Sequence, residues 1–181
     1  MNTPIPDNPK MIDRVLAEWQ TRLKAELDWL DYACGRVVEV KQAEKPIPAI
    51  YIGGGEYKSV MPDESLGNFS FFDIADTYKF ASWSKGVHAL VRVDYGLVFW
   101  MNLKKLFPGS KAHELETAKA QVLEVLTERV VLQSGAFDVT SISEGARRVF
   151  AQYARQGYNQ KFLMYPYGAI RFTGEVIFNS R

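Results

Sequence analysis

The stretch Val87-His-Ala-Leu-Val-Arg-Val-Asp-Tyr-Gly-Leu-Val-Phe-Trp-Met-Asn102 reads as one long β-strand. In its first half Val87, Ala89, Val91 and Val93 alternate with His88, Leu90, Arg92 and Asp94, the period-two pattern of a strand with one face on a core. After Gly96 the alternation gives way to an unbroken apolar run ending at Met101. Such a run predicts that this end of the strand is covered on both faces. Tyr95-Gly96, where the pattern changes, predicts a bulge or bend.

Helices and strands alternate on either side. Asn8-Pro9 offers a cap and a first helical position, and Ile12, Leu16, Trp19, Leu23, Leu27 and Leu30 then recur at helical spacing. They predict a long amphipathic helix running to Cys34 and stopped by Gly35. Trp29 falls off the stripe that holds Trp19, so either the helix is embedded on two sides or Trp29 meets a partner. Val37–Val40, Ala49–Ile52, Glu56–Val60 and Phe69–Ile74 read as strands. Among them lie a break at Lys45-Pro-Ile-Pro48, a hairpin turn at Gly53-Gly-Gly55 and an exposed loop over Met61–Asn68.

Beyond the long strand, Glu114–Gln133 is a second helix with Leu115, Ala118, Val122, Val125, Leu126 and Val130 inward. Ala136–Ile142 is a short strand. Ser143 caps a third helix, Glu144–Gln156, with Val149, Phe150 and Tyr153 as its apolar side. Phe162–Tyr165 and Ala169–Asn179 close the chain as β-structure, with Ile170, Phe172, Val176 and Phe178 on one face. The sum is a single α+β domain over residues 1–181, with a flexible arm over 1–9. Its expected architecture is a mainly antiparallel, twisted sheet with an extended hairpin, packed against the long N-terminal helix and the second helix.

Composition narrows the function. The 181 residues carry a net charge of +1, which leaves no global field to draw in nucleic acid or anionic lipid. Four Trp, 9 Tyr and 11 Phe need a core or an interface, which excludes disorder. No run of about 18 apolar residues occurs, so no transmembrane helix is expected. The proline-broken first ten residues are not a signal peptide. One cysteine permits neither an internal disulfide nor a multi-Cys metal site. Cys34 reads as a small buried hydrophobe in a protein made in a reducing compartment.

Chemical motifs are few. Tyr51-Ile-Gly-Gly-Gly-Glu-Tyr57 lacks the Lys-Ser/Thr and following helix of a phosphate cradle, and Glu56 would repel an anion; glycines supplying positive φ to a hairpin explain it better. His88 and His113 stand far apart in sequence with no further ligand at metal spacing. Asp73, Asp76 and Asp94 have no spacing that forces two of them together as acid and base. No nucleophile elbow, Walker or kinase signature is present. No catalytic, cofactor-binding or metal-binding residue is therefore assigned, and no cofactor. Arg147, Arg148, Arg155 and Lys161, and Lys104, Lys105 and Lys111, gather modestly, which fits solvated faces or a subunit interface better than a nucleic-acid site.

Aromatic residues are the excess. They crowd residues 69–83 and 158–167, and aromatic side chains are enriched in protein interfaces. Tyr51, Tyr57, Met61, Phe69, Phe71, Tyr78, Trp83, Tyr165 and Tyr167 are the interface candidates, and the Met61–Asn68 loop would suit an arm reaching a neighbour.

The order of elements from Met11 to Phe178, ending in Ala169-Ile-Arg-Phe-Thr-Gly-Glu-Val-Ile-Phe178, resembles the tail-terminator and tail-completion (head-tail joining) proteins of tailed bacteriophages. The helix around Arg147–Gln156 departs from that order. The resemblance implies a non-enzymatic virion protein, assembled in the host cytoplasm. It would form a homo-oligomeric ring, commonly a hexamer, that ends the tail tube and joins it to the neck or head connector. Its partners would be copies of itself, the tube and the connector, with at most incidental contact with DNA and none with membrane. The competing expectation is a small cytosolic enzyme or ligand-binding domain with an aromatic pocket.

Overall fold

A computed structural model of the chain describes residues 2–42, 44–82, 89–110, 114–127, 134–153 and 159–180. In chain order the elements are α1 (Ile12–Glu26), β1 (Tyr32–Arg36), β2 (Val38–Gln42), β3 (Lys45–Gly53), β4 (Glu56–Ser59), β5 (Phe69–Ser82) and β6 (Leu90–Asn102). Then come α2 (Leu103–Leu106), α3 (Leu115–Thr127), β7 (Gly135–Glu144), α4 (Ala146–Phe150) and β8 (Tyr167–Asn179). A five-stranded sheet has the order β1-β5-β6-β8-β7, and β2-β3-β4 form a smaller one. Among the described residues, only β1 and β5 pair in parallel. The protein is an α+β fold with a mainly antiparallel sheet and a long N-terminal helix.

Strand β6 lies at the centre, and its residue pattern sets the layers. Val91, Val93, Tyr95, Leu97, Phe99 and Met101 face a core shared with α1, α3 and the Ile170, Phe172, Val176, Phe178 row of β8. On the second face Val98 and Trp100 join Phe69, Phe71, Ile50, Val149, Phe150 and Phe162 in a separate core. That second core covers only the far end of the strand, because Arg92 and Asp94 on the same face are exposed. Double cover of one end is what the apolar run after Gly96 predicts.

The irregularity expected at Tyr95-Gly96 falls on the neighbouring strand, where β5 slips register between Ile74, opposite Tyr95, and Tyr78. Pairing of β6 with β8 is continuous from Leu90 opposite Asn179 to Asn102 opposite Tyr167. The glycine serves a close approach instead: a Cβ at Gly96 would lie 2.5 Å from Nη2 of Arg171, whose guanidinium crosses that spot.

The first helix is shorter than its apolar spacing. It begins at Ile12 without a side-chain cap, after Met11 at φ 50°, and ends at Glu26; Leu27 and Leu30 are buried outside it. Asn68 explains the early end. Its side-chain Nδ2 donates to the Trp29 carbonyl (2.9 Å) and its N–H donates to the Asp31 carboxylate (2.7 Å). Its own carbonyl accepts from the Asp31 and Tyr32 N–H groups at 2.8 and 3.1 Å. These long-range bonds replace helical ones and start β1, so Ala33 and Cys34 lie in a strand. Within the chain, Trp29 Nε1 donates to Gln121 Oε1 of α3 (3.0 Å), and its ring stands edge-on to Phe99.

Other boundaries also move. Pro46 and Pro48, read as a break, lie within β3 where only β2 pairs with it, so their missing N–H groups can face away from the ladder. Gly54 and Gly55 turn the β3–β4 hairpin at φ 62° and 82°, the mirror-type turn expected. Strand β5 continues to Ser82, with an irregularity between Ile74 and Tyr78. Strand β7 extends through Ser143 to Glu144, so α4 starts late at Ala146; Val149, Phe150 and Tyr153 are buried as predicted. A 3-10 turn at Gln160–Leu163 stands where β-structure was expected. Leu115, Ala118, Val122, Val125 and Leu126 form the buried side of α3; Val130 and residues 154–156 lie outside the described residues.

The N-terminal arm, read as flexible, has two anchors. The Ala33 N–H donates to the Asn2 carbonyl (3.1 Å), and the buried Gln20 donates from Nε2 to the carbonyls of Pro4 (3.1 Å) and Ala33 (2.9 Å). Cys34, the next residue, is fully buried in the second core. Burial pushes its thiol up from 9.0 to about 12. An unfolded thiol ionises first as pH rises, so this contribution to stability is intact below about pH 9 and is lost as pH climbs towards 12. At pH 8 the native protein is expected to react with a thiol reagent only as fast as it opens. Quantitative labelling in denaturant is the control.

Candidate functional site

The fold separates the interface candidates. Phe69 and Phe71 are core residues: they stack at 6.1 Å, Phe69 against Trp100 and Phe71 against Phe150 and Tyr153, and no neighbour could reach them. Tyr167 is half-buried and stacks on Trp100 at 5.0 Å. Tyr51 and Met61 are half-buried, while Tyr57, beside Tyr51 across the hairpin at 5.6 Å, is 51% exposed. Tyr78 is half-buried and edge-on to Phe178. Trp83, His88 and His113 lie outside the described residues, as do Lys111, Arg155 and Tyr158.

The Met61–Asn68 loop is strapped to its own domain and does not reach out. Lys58 holds Asp63 (2.9 Å), Asn102 donates to Glu64 (3.1 Å), and Asn68 Oδ1 accepts from the Asn102 N–H (2.8 Å). Bonding from the Tyr167 hydroxyl, ahead of Asn102 and Lys105, holds the Glu64 carboxyl below its ordinary range. That anchor therefore weakens as pH falls through the folded value.

Of the exposed large apolar side chains among the described residues, Tyr57 lies on the small sheet and Ile142 midway along the main one, and the other four stand at the two ends of the main sheet. At one end Phe80 (63% exposed) and Met11 (41%) edge a groove of about 470 Å³ with Ile12, Tyr78 and Val91. At the other, Met164 (45%) and Tyr165 (52%) precede β8, with Lys104 Nζ 5.5 Å above the Tyr165 ring. Phe80 belongs to the aromatic crowd over residues 69–83, whereas residue spacing gave no sign of Met11 or Met164 as surface groups. Met11 and Met164 adjoin stretches that feed the core, while Phe80 lies in a part of β5 whose neighbours are exposed or half-buried.

The uncovered part of the second face is polar. Lys79 bridges Asp94 (3.3 Å) and Glu175 (3.5 Å), and Arg92 reaches Glu175 (3.6 Å). Where this surface meets the second core, Asp73 Oδ2 accepts from Arg171 Nη2 (2.7 Å), from the Tyr153 hydroxyl (2.9 Å) and from Gln152. Arg171 Nη1 also donates to the Tyr153 oxygen (2.9 Å). Burial, reinforced by the Asp73 charge, raises the Tyr153 phenol and keeps it protonated. The node ties the turn after α4 to β5 and β8 beside a cleft of about 580 Å³ that runs from Arg36 to Tyr78. Tyr153→Phe removes one donor and one acceptor and is expected to cost about 1–2 kcal/mol in urea unfolding.

Chemically this arrangement braces more than it reacts. Asp73 and Asp94 share the face but engage different cations, so they form no carboxyl pair. Among the described residues no group of three or more His, Cys, Asp or Glu could hold a metal ion, and no helix is long and apolar enough to cross a membrane. Neither protein-family models nor curated protein sequences give a match to this chain.

Proposed function

We propose that this protein is a structural subunit of a bacteriophage virion, forming a homo-oligomeric ring, a hexamer, that ends the tail tube and joins it to the neck or connector. One observation carries the reading: different exposed apolar clusters stand at opposite ends of one sheet, Phe80 with Met11 and Tyr165 with Met164. A ring that stacks between a tube and a connector needs two unlike end surfaces. A small-molecule enzyme needs neither. The element order that resembles the tail-terminator proteins supports the same reading, and the polar node is then a brace that keeps α4 seated.

The test is light scattering and electron microscopy of the purified protein, alone and with tail tubes. Closed rings that cap tube ends are expected. A compact monomer stabilised by a small molecule would overturn the reading. Tyr165→Ala, at an exposed position, is expected to lower tube capping at least about tenfold while changing stability by no more than about 0.5 kcal/mol.

A further inference from the structure

We propose that the basic outer surface over the second core of one copy docks against an acidic hollow between α1 and α3 of the next. This inference rests on the ring reading and names the pair of surfaces that would join its subunits.

Charge is unevenly placed along the chain. Residues 145–174 contain no Asp or Glu, against Arg147, Arg148, Arg155, Lys161 and Arg171. Arg171 is neutralised by Asp73. Helix α4 turns Ala146, Val149 and Phe150 into the second core and leaves Arg147 and Arg148 exposed. The 3-10 turn packed beside it buries Phe162 and Leu163 and leaves Lys161 exposed, its Nζ 4.6 Å from the Phe162 ring. Among the described residues no carboxylate pairs with Arg147, Arg148 or Lys161. Glu144, the nearest acid in sequence, is held by Lys119 at 3.1 Å.

The opposite layer has the reverse charge. Where Trp29 meets Gln121, the exposed Glu26, Asp28 and Glu124 surround a hollow of about 350 Å³ that no cation lines. None of these three carboxylates has an ion-pair or hydrogen-bond partner among the described residues. Lys24, the nearest cation on α1, donates to the Leu30 carbonyl instead.

Charge selects the occupant. Each surface holds three groups that its own copy leaves unpaired, and the signs are opposite. Guanidinium forks and carboxylates pair with two parallel bonds where they meet. A polyanion such as DNA is a poorer fit, because the chain's net charge of +1 gives it no overall attraction. Position then allows the contact. Phe99 and Trp100 are consecutive on β6 and point to opposite faces; Phe99 stands edge-on to Trp29 of the hollow, and Trp100 edge-on to Phe162 beneath Lys161. The two surfaces therefore lie back to back at one level of the sheet. Rotation about an axis along the strands brings one to the other without a change of height. Because they are unlike, the contact is head-to-tail, the kind that closes a ring.

The test is charge reversal and rescue on the full chain, read by light scattering and electron microscopy. Arg147→Glu/Arg148→Glu and, separately, Glu26→Lys/Glu124→Lys are each expected to raise the concentration needed for assembly at least about tenfold, with the melting curve unchanged. The variant carrying all four substitutions is expected to assemble again near the original concentration, because the signs are exchanged and not removed. Rings that persist through either reversal would overturn this joint and leave the ring reading in place. So would a natively folded four-substitution variant that stays apart. A fluorescent DNA duplex that binds the original chain but not Arg147→Glu/Arg148→Glu would make nucleic acid the occupant and overturn the joint as well. An original chain that is monomeric at every concentration would overturn the ring reading itself, and the joint with it.

Discussion

Replacing Trp100 with alanine is expected to destabilise the protein by about 4 kcal/mol, or about 12 °C in Tm for a chain of this size. Trp100 is fully buried at the centre of the second core. It stacks on Tyr167, meets Phe162 edge-on, lies 5.7 Å from Phe69, and donates its indole N–H to the Phe162 carbonyl (2.8 Å). Truncation leaves a large cavity and strands that carbonyl without its donor. The rings that contact Trp100 also contact one another, Phe162 with Tyr167 and Phe69 with Phe71, which limits their collapse into the space. Urea unfolding followed by circular dichroism measures the loss. A shift under about 1 kcal/mol would mean the second core is looser than drawn.

Gly174→Ala is expected to cost about 3 kcal/mol or more, against a smaller effect from Gly96→Ala. A Cβ at Gly174 would sit 1.7 Å from the backbone oxygen of Asp138 and 3.2 Å from the Tyr95 ring, so β7 would have to leave β8. At Gly96 the obstructing atoms belong to the end of the Arg171 side chain, which can swing aside at the expense of its bond to Asp73. Paired melting curves of the two variants separate backbone obstruction from side-chain obstruction. Equal losses would refute the distinction.

These glycines show how far one-dimensional pattern reaches. Gly53-Gly-Gly55 could be read as a hairpin turn because a turn is a local event among adjacent residues. Gly96 could not be assigned: a bend and a close approach leave the same mark in sequence, and only Arg171, far along the chain, tells them apart. The node of Asp73, Gln152, Tyr153 and Arg171 was invisible for the same reason. Its members come from three elements and follow no shared spacing. A hint existed in Arg171, a lone cation in an otherwise half-apolar strand. The aromatic excess was legible as an amount, but its division between core (Phe69, Phe71) and surface (Tyr57, Phe80, Tyr165) was not.

By itself the sequence determined the class of the fold, the central strand with its doubly covered end, the buried faces of α3 and β8, and the glycine hairpin. The buried faces rest on a period of 2 or 3.6 that a side chain's direction imposes on its near neighbours, the covered end on the loss of that period, and the hairpin on glycines adjacent in the chain. Tertiary structure alone decided that α1 stops at Glu26, that β1 starts where a helix was due, and that two prolines lie inside β3. Those features depend on hydrogen bonds and pairings between residues distant in the chain, such as Asn68 with Trp29 and Asp31. Local spacing carries no record of them.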